Sequence, residues 1–211
     1  TEPRTFNIKG GGQLTIDYSN STQRKNILSV TIGNIADGIT EIGEHFLDGT
    51  KNLKSVDFSG LSSIKKLGYD FLDECGLEIA DMSLLVSVEE IADSFMTDTN
   101  NLKSINLSGF ESVKTIGNRF LFHVYNENFT TVDLTPLRNV KKIGAGAFMR
   151  SYYLTSINTS SIKAEVFDVD GLDSAGKNIY SFASDNNTYP IYTTGVKITG
   201  DDASNIKARF P

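Results

Sequence analysis

The sequence predicts an α/β solenoid: similar coils stacked on a parallel β-sheet and closed at each end by a β-rich cap. One segment recurs, with copies starting at Ile27, Leu53, Leu77, Leu102, Phe129 and Leu154, a period of about 25 residues. The copies hold the same residue classes in the same columns, and charges between two of those columns alternate in sign from copy to copy. No single coil shields its own apolar columns. Stacked coils bury each column against its copies above and below.

Residues 1–26 precede the repeats. Thr5-Phe-Asn-Ile-Lys9 and Gln13-Leu-Thr-Ile-Asp-Tyr18 alternate apolar and polar, as half-buried strands do. Gly10-Gly11-Gly12 joins them at hairpin length. The expectation is an N-terminal β-hairpin cap over the open end of the first coil, since an uncovered coil exposes core and strand edge.

Residues 27–160 read as five coils and a partial sixth. Three apolar columns open each coil: Ile27, Leu53, Leu77, Leu102 and Phe129, then Val30, Val56, Ala80, Ile105 and Val132, then Ile32, Phe58, Met82, Leu107 and Leu134. The last two columns are two residues apart, which puts them on one face of a strand. A second pair of columns follows at Ile39/Ile42, Ile64/Leu67, Val88/Ile91, Val113/Ile116 and Val140/Ile143. A small residue comes next, Gly43, Gly68, Ala92, Gly117 or Gly144, which suits a sharp change of chain direction. Each coil ends on adjacent residues such as Phe46-Leu47, Phe71-Leu72 or Phe120-Leu121, read as a short helical turn.

Thr40-Glu41, Lys65-Lys66, Glu89-Glu90, Lys114-Thr115 and Lys141-Lys142 sit inside the second pair of columns. Acid faces base through the first four coils. Such pairs contribute a fraction of a kcal/mol each, and they neutralise lysines that would otherwise form a basic stripe. From residue 161 to 211 the period fades into Ser-, Asp-, Asn- and Gly-rich sequence. Short alternating runs at Val166-Phe-Asp-Val169, Ile191-Tyr-Thr-Thr194 and Val196-Lys-Ile198 predict a C-terminal β-rich cap.

Composition narrows the function. The formal charge of −6 argues against a nucleic-acid binder, and no apolar run reaches membrane-spanning length. The single cysteine excludes an internal disulfide framework. The chain begins Thr1-Glu-Pro-Arg4 without methionine, as expected after removal of a targeting segment.

The columns L-x-S-[VI]-x-[FL] … [VI]-x-x-I-G-x-x-x-F resemble the leucine-rich repeat of the BspA-like (Treponema pallidum-type) class. Ile143-Gly-Ala-Gly-Ala-Phe148 lies nearest its pattern, and Cys75 falls near its cysteine column. Most coils lack that cysteine, and Phe46, Phe71, Phe95 and Phe120 stand one position early. The resemblance implies a right-handed coil, with the sheet concave and short helical turns and strands on the convex side. It also implies a secreted or cell-surface protein of a bacterium or parasitic protist that adheres to a host or matrix protein.

In that architecture the outward strand positions form polar ladders. The candidate ligand-binding residues are Ser55, Asp57, Asp81, Ser104, Asn106, Thr131, Asp133 and Asn158. The competing reading is a solvated strand face whose short side chains merely pack without crowding. Stacked Asp57 and Asp81 raise calcium as a counter-ion, but no D-x-D-x-D-G loop is present, and neither metal nor cofactor is expected. His45 and His123 sit on different coils without metal-ligand spacing, and Cys75 takes a buried family position. Phe122-His-Val-Tyr-Asn-Glu-Asn128, which lengthens the fourth coil, is a second contact candidate, or else a bulge folded onto the core. The expectation is a non-enzymatic interaction module without nucleic-acid partner or membrane insertion. The rivals are a spacer with no ligand of its own and a carbohydrate-binding or carbohydrate-active module.

Overall fold

The structure, a computed structural model, describes residues 4–6, 12–14, 24–33, 38–160, 162–166 and 197–208. Its strands are β1 (Arg4–Phe6), β2 (Gly12–Leu14), β3 (Ser29–Ile32), β4 (Ile39–Ile42), β5 (Ser55–Asp57), β6 (Lys66–Leu67), β7 (Ile79–Asp81) and β8 (Glu90–Ile91). They continue with β9 (Ser104–Asn106), β10 (Thr115–Ile116), β11 (Thr131–Asp133), β12 (Lys142–Ile143), β13 (Ser156–Asn158) and β14 (Lys197–Thr199). Every pairing between them is parallel. The result is a solenoid with two strand columns, one strand of each per coil.

The registers follow the apolar columns. In the first column Val30 pairs Val56, Ala80 pairs Ile105 and Val132 pairs Ile157, in three successive ladders β1-β3-β5, β7-β9 and β11-β13-β14. The second column is one sheet, β2-β4-β6-β8-β10-β12, with Ile42, Leu67, Ile91, Ile116 and Ile143 in register. Each of those five side chains is buried. Short 3-10 turns at Ser59–Leu61, Phe110–Ser112 and Thr135–Leu137 link the first strand to the second.

The core is stapled by a file of phenylalanines. Phe46, Phe71, Phe95 and Phe120 stack near-parallel at centroid distances of 5.3, 5.7 and 5.1 Å. Phe148 ends the file edge-on at 5.8 Å from Phe120. All five rings are essentially inaccessible to solvent. Offset aromatic contact adds to the burial of each large side chain.

The Phe-Leu pairs do not lie on helical turns, contrary to the sequence reading. Here the backbone visits left-handed dihedrals at alternate residues: His45 and Leu47, Asp70, Leu72 and Glu74, Ser94, Met96 and Asp98, Arg119, Leu121 and His123. Helical residues hold φ near −60°, so this alternation rules a helix out. The amides of these residues bond the neighbouring coils instead. Asp70 N donates to Asp93 O, Leu72 N to Phe46 O, and Glu74 N to Thr97 O, and the other coils repeat the pattern. It makes a third inter-coil ladder, which satisfies backbone groups that burial would otherwise leave stranded.

The small-residue column also has a different cause from the one expected. Gly68, Gly117 and Gly144 do not adopt left-handed φ, so they are not there to turn the chain. A Cβ on Gly68 or Gly144 would meet the previous coil's backbone at 2.5 Å. The column is small because adjacent coils touch there, backbone to backbone.

The N-terminal hairpin is overturned. β1 joins β3 and β2 joins β4, both in parallel, so the two segments enter different sheets and do not pair with each other. β1 and β2 each add one strand to one of the two strand columns. Strict alternation marks a half-buried strand without stating its partner. At the other end β14 adds a further parallel strand to β13, and an unforeseen helix, Ala203–Ala208, lies against it. Val166 is buried on a 3-10 turn. The runs at 167–169 and 191–194 lie outside the described residues. No described helix is long and apolar enough to cross a membrane.

Candidate interaction surfaces

The first strands bring the sequence-predicted residues together. Ser55, Asp57, Asp81, Ser104, Asn106, Thr131 and Asp133 are exposed, and Asn158 is half-buried. Asp81 lies in register with Asn106, and Asp133 with Asn158. What the sequence did not reveal is that each acidic or amide side chain is tied to its own backbone. Asp57, Asp81, Asn106, Asp133 and Asn158 each accept a hydrogen bond from the N–H two residues on, at 2.9 to 3.2 Å. These are Asx turns, which end the strand and launch the following turn. Asn106 Nδ2 also donates to Asp81 Oδ1 at 2.9 Å, across coils. The ladder is therefore structural as well as exposed. In its midst stands Ile79, 66% exposed and more so than any other large apolar side chain among the described residues.

Ion-pair ladders flank the strands, as the sign alternation implied. Lys66 lies 3.8 Å from Glu41 and 3.2 Å from Glu90, and Glu89 bridges Lys65 and Lys114. Beside the first strands Glu78 binds Lys103 at 2.7 Å and Lys54 at 3.5 Å. All are solvent-exposed, where screening leaves such pairs little net stability. A shallow groove of about 410 Å³ crosses the second sheet, with Gly68, Ala92 and Gly117 at its base and Tyr69, Lys66 and Glu90 among its walls.

The third ladder carries the remaining chemistry-bearing residues. His45 Nδ1 lies 3.0 Å from Asp70 Oδ2, and His123 Nδ1 bonds Asp98. The two histidines thus sit on different coils, each with its own carboxylate. Burial pushes the carboxyls of Asp48 and Asp70 up, and that of Asp73 up to about 7, helped by the charges of Asp70, Asp48 and Asp98. Cys75 is buried, which raises its thiol to about 11, too high for a nucleophile at neutral pH. Its sulfur lies 4.0 Å from the Thr99 hydroxyl. Thr50, Thr99 and Ser151 are buried too, and donate to the carbonyls of Leu47, Leu72 and Leu121. The cysteine column is thus a file of small hydroxyls and a thiol fastening the left-handed ladder. Small residues recurring at Thr50, Cys75, Thr99 and, beyond Val124 in the fourth coil, Ser151 were the available signal.

The lengthened fourth coil is split between core and surface. Val124 is fully buried, and Phe122 is half-buried beneath the guanidinium groups of Arg119 and Arg150. Tyr125 is 50% exposed and contacts Tyr153 and Tyr152 on the next coil.

A family model for the BspA type leucine-rich repeat region matches residues 19–155 in six copies. The chain belongs to the BspA-type leucine-rich-repeat family. The six copies of the BspA-type match cover the coils from the end of the N-terminal segment to the start of the sixth. A search of curated proteins finds no match. Among solved structures, a leucine-rich cell surface protein from Faecalibacterium prausnitzii A2-165 aligns at 18% identity and a TM-score of 0.37. The alignment covers 75% of this chain and 48% of that one, so the chain spans about half that protein's length.

Proposed function

We propose that this BspA-type repeat chain is a non-enzymatic module, secreted or displayed at a cell surface, that binds a host or matrix protein through the face of its first strands. The compartment and the absence of catalysis follow the habit of the family, in which repeats display surfaces and do not build reaction centres. The observation that carries the strand face is Ile79. This aliphatic side chain is two-thirds exposed, stands in register with Ser104 two residues before Asp81, and lies outside the core. Apolar anchors rimmed by polar residues are a common centre of protein contacts. The Asx turns strengthen this reading. Side chains already fixed to their own backbone lose little freedom when a partner covers them.

The test uses a host-cell or matrix-protein binding assay. Ile79→Glu leaves the turns intact, and is expected to reduce binding at least tenfold. Alanine substitutions at Asp57, Asp81, Asn106 and Asp133 are expected to weaken binding and lower stability together. Unchanged binding in Ile79→Glu and in the alanine set removes the strand face from the interaction. The reading favoured then is a spacer, in which the Asx ladder serves folding alone.

A further inference from the structure

The lengthened fourth coil places an aromatic cluster on a different face from Ile79. Tyr125, 50% exposed, and Tyr153, 38% exposed, have ring centroids 5.2 Å apart with planes inclined at 58°. Their hydroxyls lie 3.5 Å apart. Tyr152 stands edge-on to Tyr125 at 5.8 Å. The rings form an angled cradle open to solvent, not a flat sheet.

The cradle is held in place from below. Tyr125 N donates to Asn100 Oδ1 at 2.9 Å, and Asn126 Nδ2 to Asn100 O at 3.2 Å. Asn126 Oδ1 in turn accepts from Asn128 N at 2.9 Å. Val124, next to Tyr125, is anchored in the core and its N–H bonds the buried Ser151 hydroxyl. A loop pinned on both sides of an exposed tyrosine keeps the ring presented, which removes the ordering cost of binding.

We propose that this tyrosine cradle binds a neutral glycan. The exposed surfaces of Tyr125 and Tyr153, 50% and 38% of a residue, together come to less than one whole Tyr side chain of roughly 150–250 Å². A specific protein partner needs about 800 Å², whereas a patch of this size suits a mono- or disaccharide. Pyranose rings offer an apolar C–H face to an aromatic ring and hydroxyls at their rim. The phenol hydroxyls and the exposed Asn128 carboxamide supply donors and acceptors for that rim. Glu127, exposed between Asn126 and Asn128, puts a carboxylate on the same loop as Tyr125, which disfavours sialylated or sulfated sugars. The inference is independent of the strand-face reading, since it uses other residues on another face.

The experiment probes the full chain on an array of glucose-, galactose-, mannose- and N-acetylglucosamine-terminated oligosaccharides, beside sialylated and sulfated counterparts. The expected result is retention on neutral sugars, reduced at least tenfold by Tyr125→Ala and by Tyr153→Ala and unchanged by Ile79→Glu. The chain has no tryptophan, so quenching or enhancement of its tyrosine emission by the retained sugar gives a second readout. If Tyr125→Ala fails to fold, the solvent-facing Tyr153→Ala decides. A blank array, retention only on anionic sugars, or equal retention by Tyr153→Ala and the unaltered chain overturns the proposal. So does a blank array together with loss of a protein partner in the tyrosine variants, which would make the cluster a protein contact.

Discussion

Along the first strands the backbone keeps ordinary β dihedrals, and apart from Ile79 the exposed side chains are short and polar, with the Asp and Asn among them tied to their own backbone. Along the ladder that carries the Phe-Leu pairs, the side chains are large and charged or aromatic, and the unusual geometry lies in the backbone. Thirteen described non-glycine residues adopt left-handed φ, and all fall on this ladder. Each such residue costs about 1–2 kcal/mol relative to its right-handed alternative. The ladder persists because its amides bond adjacent coils and its Phe and Leu side chains fill the core. One face is thus stable by local preference, and the other only because the coils are stacked.

That difference predicts unequal sensitivity to core truncation. Phe95 contacts Phe71, Phe120 and Phe110. Phe95→Ala is expected to destabilise by about 3–5 kcal/mol. Val132→Ala, under the first strands, is expected to cost about 1.6 kcal/mol at ~0.8 kcal/mol per methylene-sized group. Denaturant unfolding of the two variants measures the gap. Equal losses would mean that the phenylalanine file is no more central than the strand column.

A second contrast concerns the backbone itself. Glu74 sits at φ 47° on the left-handed ladder, while Ser104 lies in β9, and both are exposed. At position 74 glycine should be more stable than valine by about 1–2 kcal/mol, because valine resists left-handed φ. At position 104 the order should invert by up to about 1 kcal/mol, because valine suits a pleated strand. Four variants, Glu74→Gly, Glu74→Val, Ser104→Gly and Ser104→Val, are compared by thermal unfolding. The same order at both positions would erase the distinction between the two faces.

The two faces were also unequally legible. Strand columns such as Val30/Val56 and Ile42/Leu67 show directly in the sequence, because burial writes a period of two into a strand and repeats it each coil. The Asx turns were legible in principle, since Asp or Asn stands two residues before Ser or Thr in Asp57-Phe-Ser59, Asp81-Met-Ser83 and Asp133-Leu-Thr135. The left-handed ladder was not, because most of its positions hold Leu, Met, Phe, Ser, Glu or Arg, which carry no left-handed preference, and the more permissive Asp and His are scattered over two columns of it. Two glycines were the trace of it. Gly49 shares a column with Glu74 and Asp98, and Gly146 with Asp70 and Arg119, and both adopt positive φ. The aromatic cradle was half visible: the extra length of coil four marked the loop, but its meeting with Tyr152 and Tyr153 of the next coil depends on stacking.

The smallest effect expected is a pH slope from the left-handed face. Asp73 is half-buried there, its carboxyl raised to about 7 by burial and then by the charges of Asp70, Asp48 and Asp98. In the unfolded chain it titrates near 3.8. Between those values the folded chain holds a proton that the unfolded chain has lost. Stability contributed by this group is therefore present below about 3.8, falls as pH rises through the window, and levels off above about 7. Solvent access at this half-buried site screens the effect and keeps it modest. Asp73→Asn removes the titration, so its melting temperature should fall less than that of the unaltered chain between roughly pH 5 and pH 8. Ser104→Asn, on the strand face, should leave the slope untouched. A slope unchanged by Asp73→Asn would place the origin of the pH dependence in Asp48 and Asp70, whose carboxyls burial also raises. Those carboxyls lie on the same ladder, so the contrast with the strands would stand and only its titrating group would change.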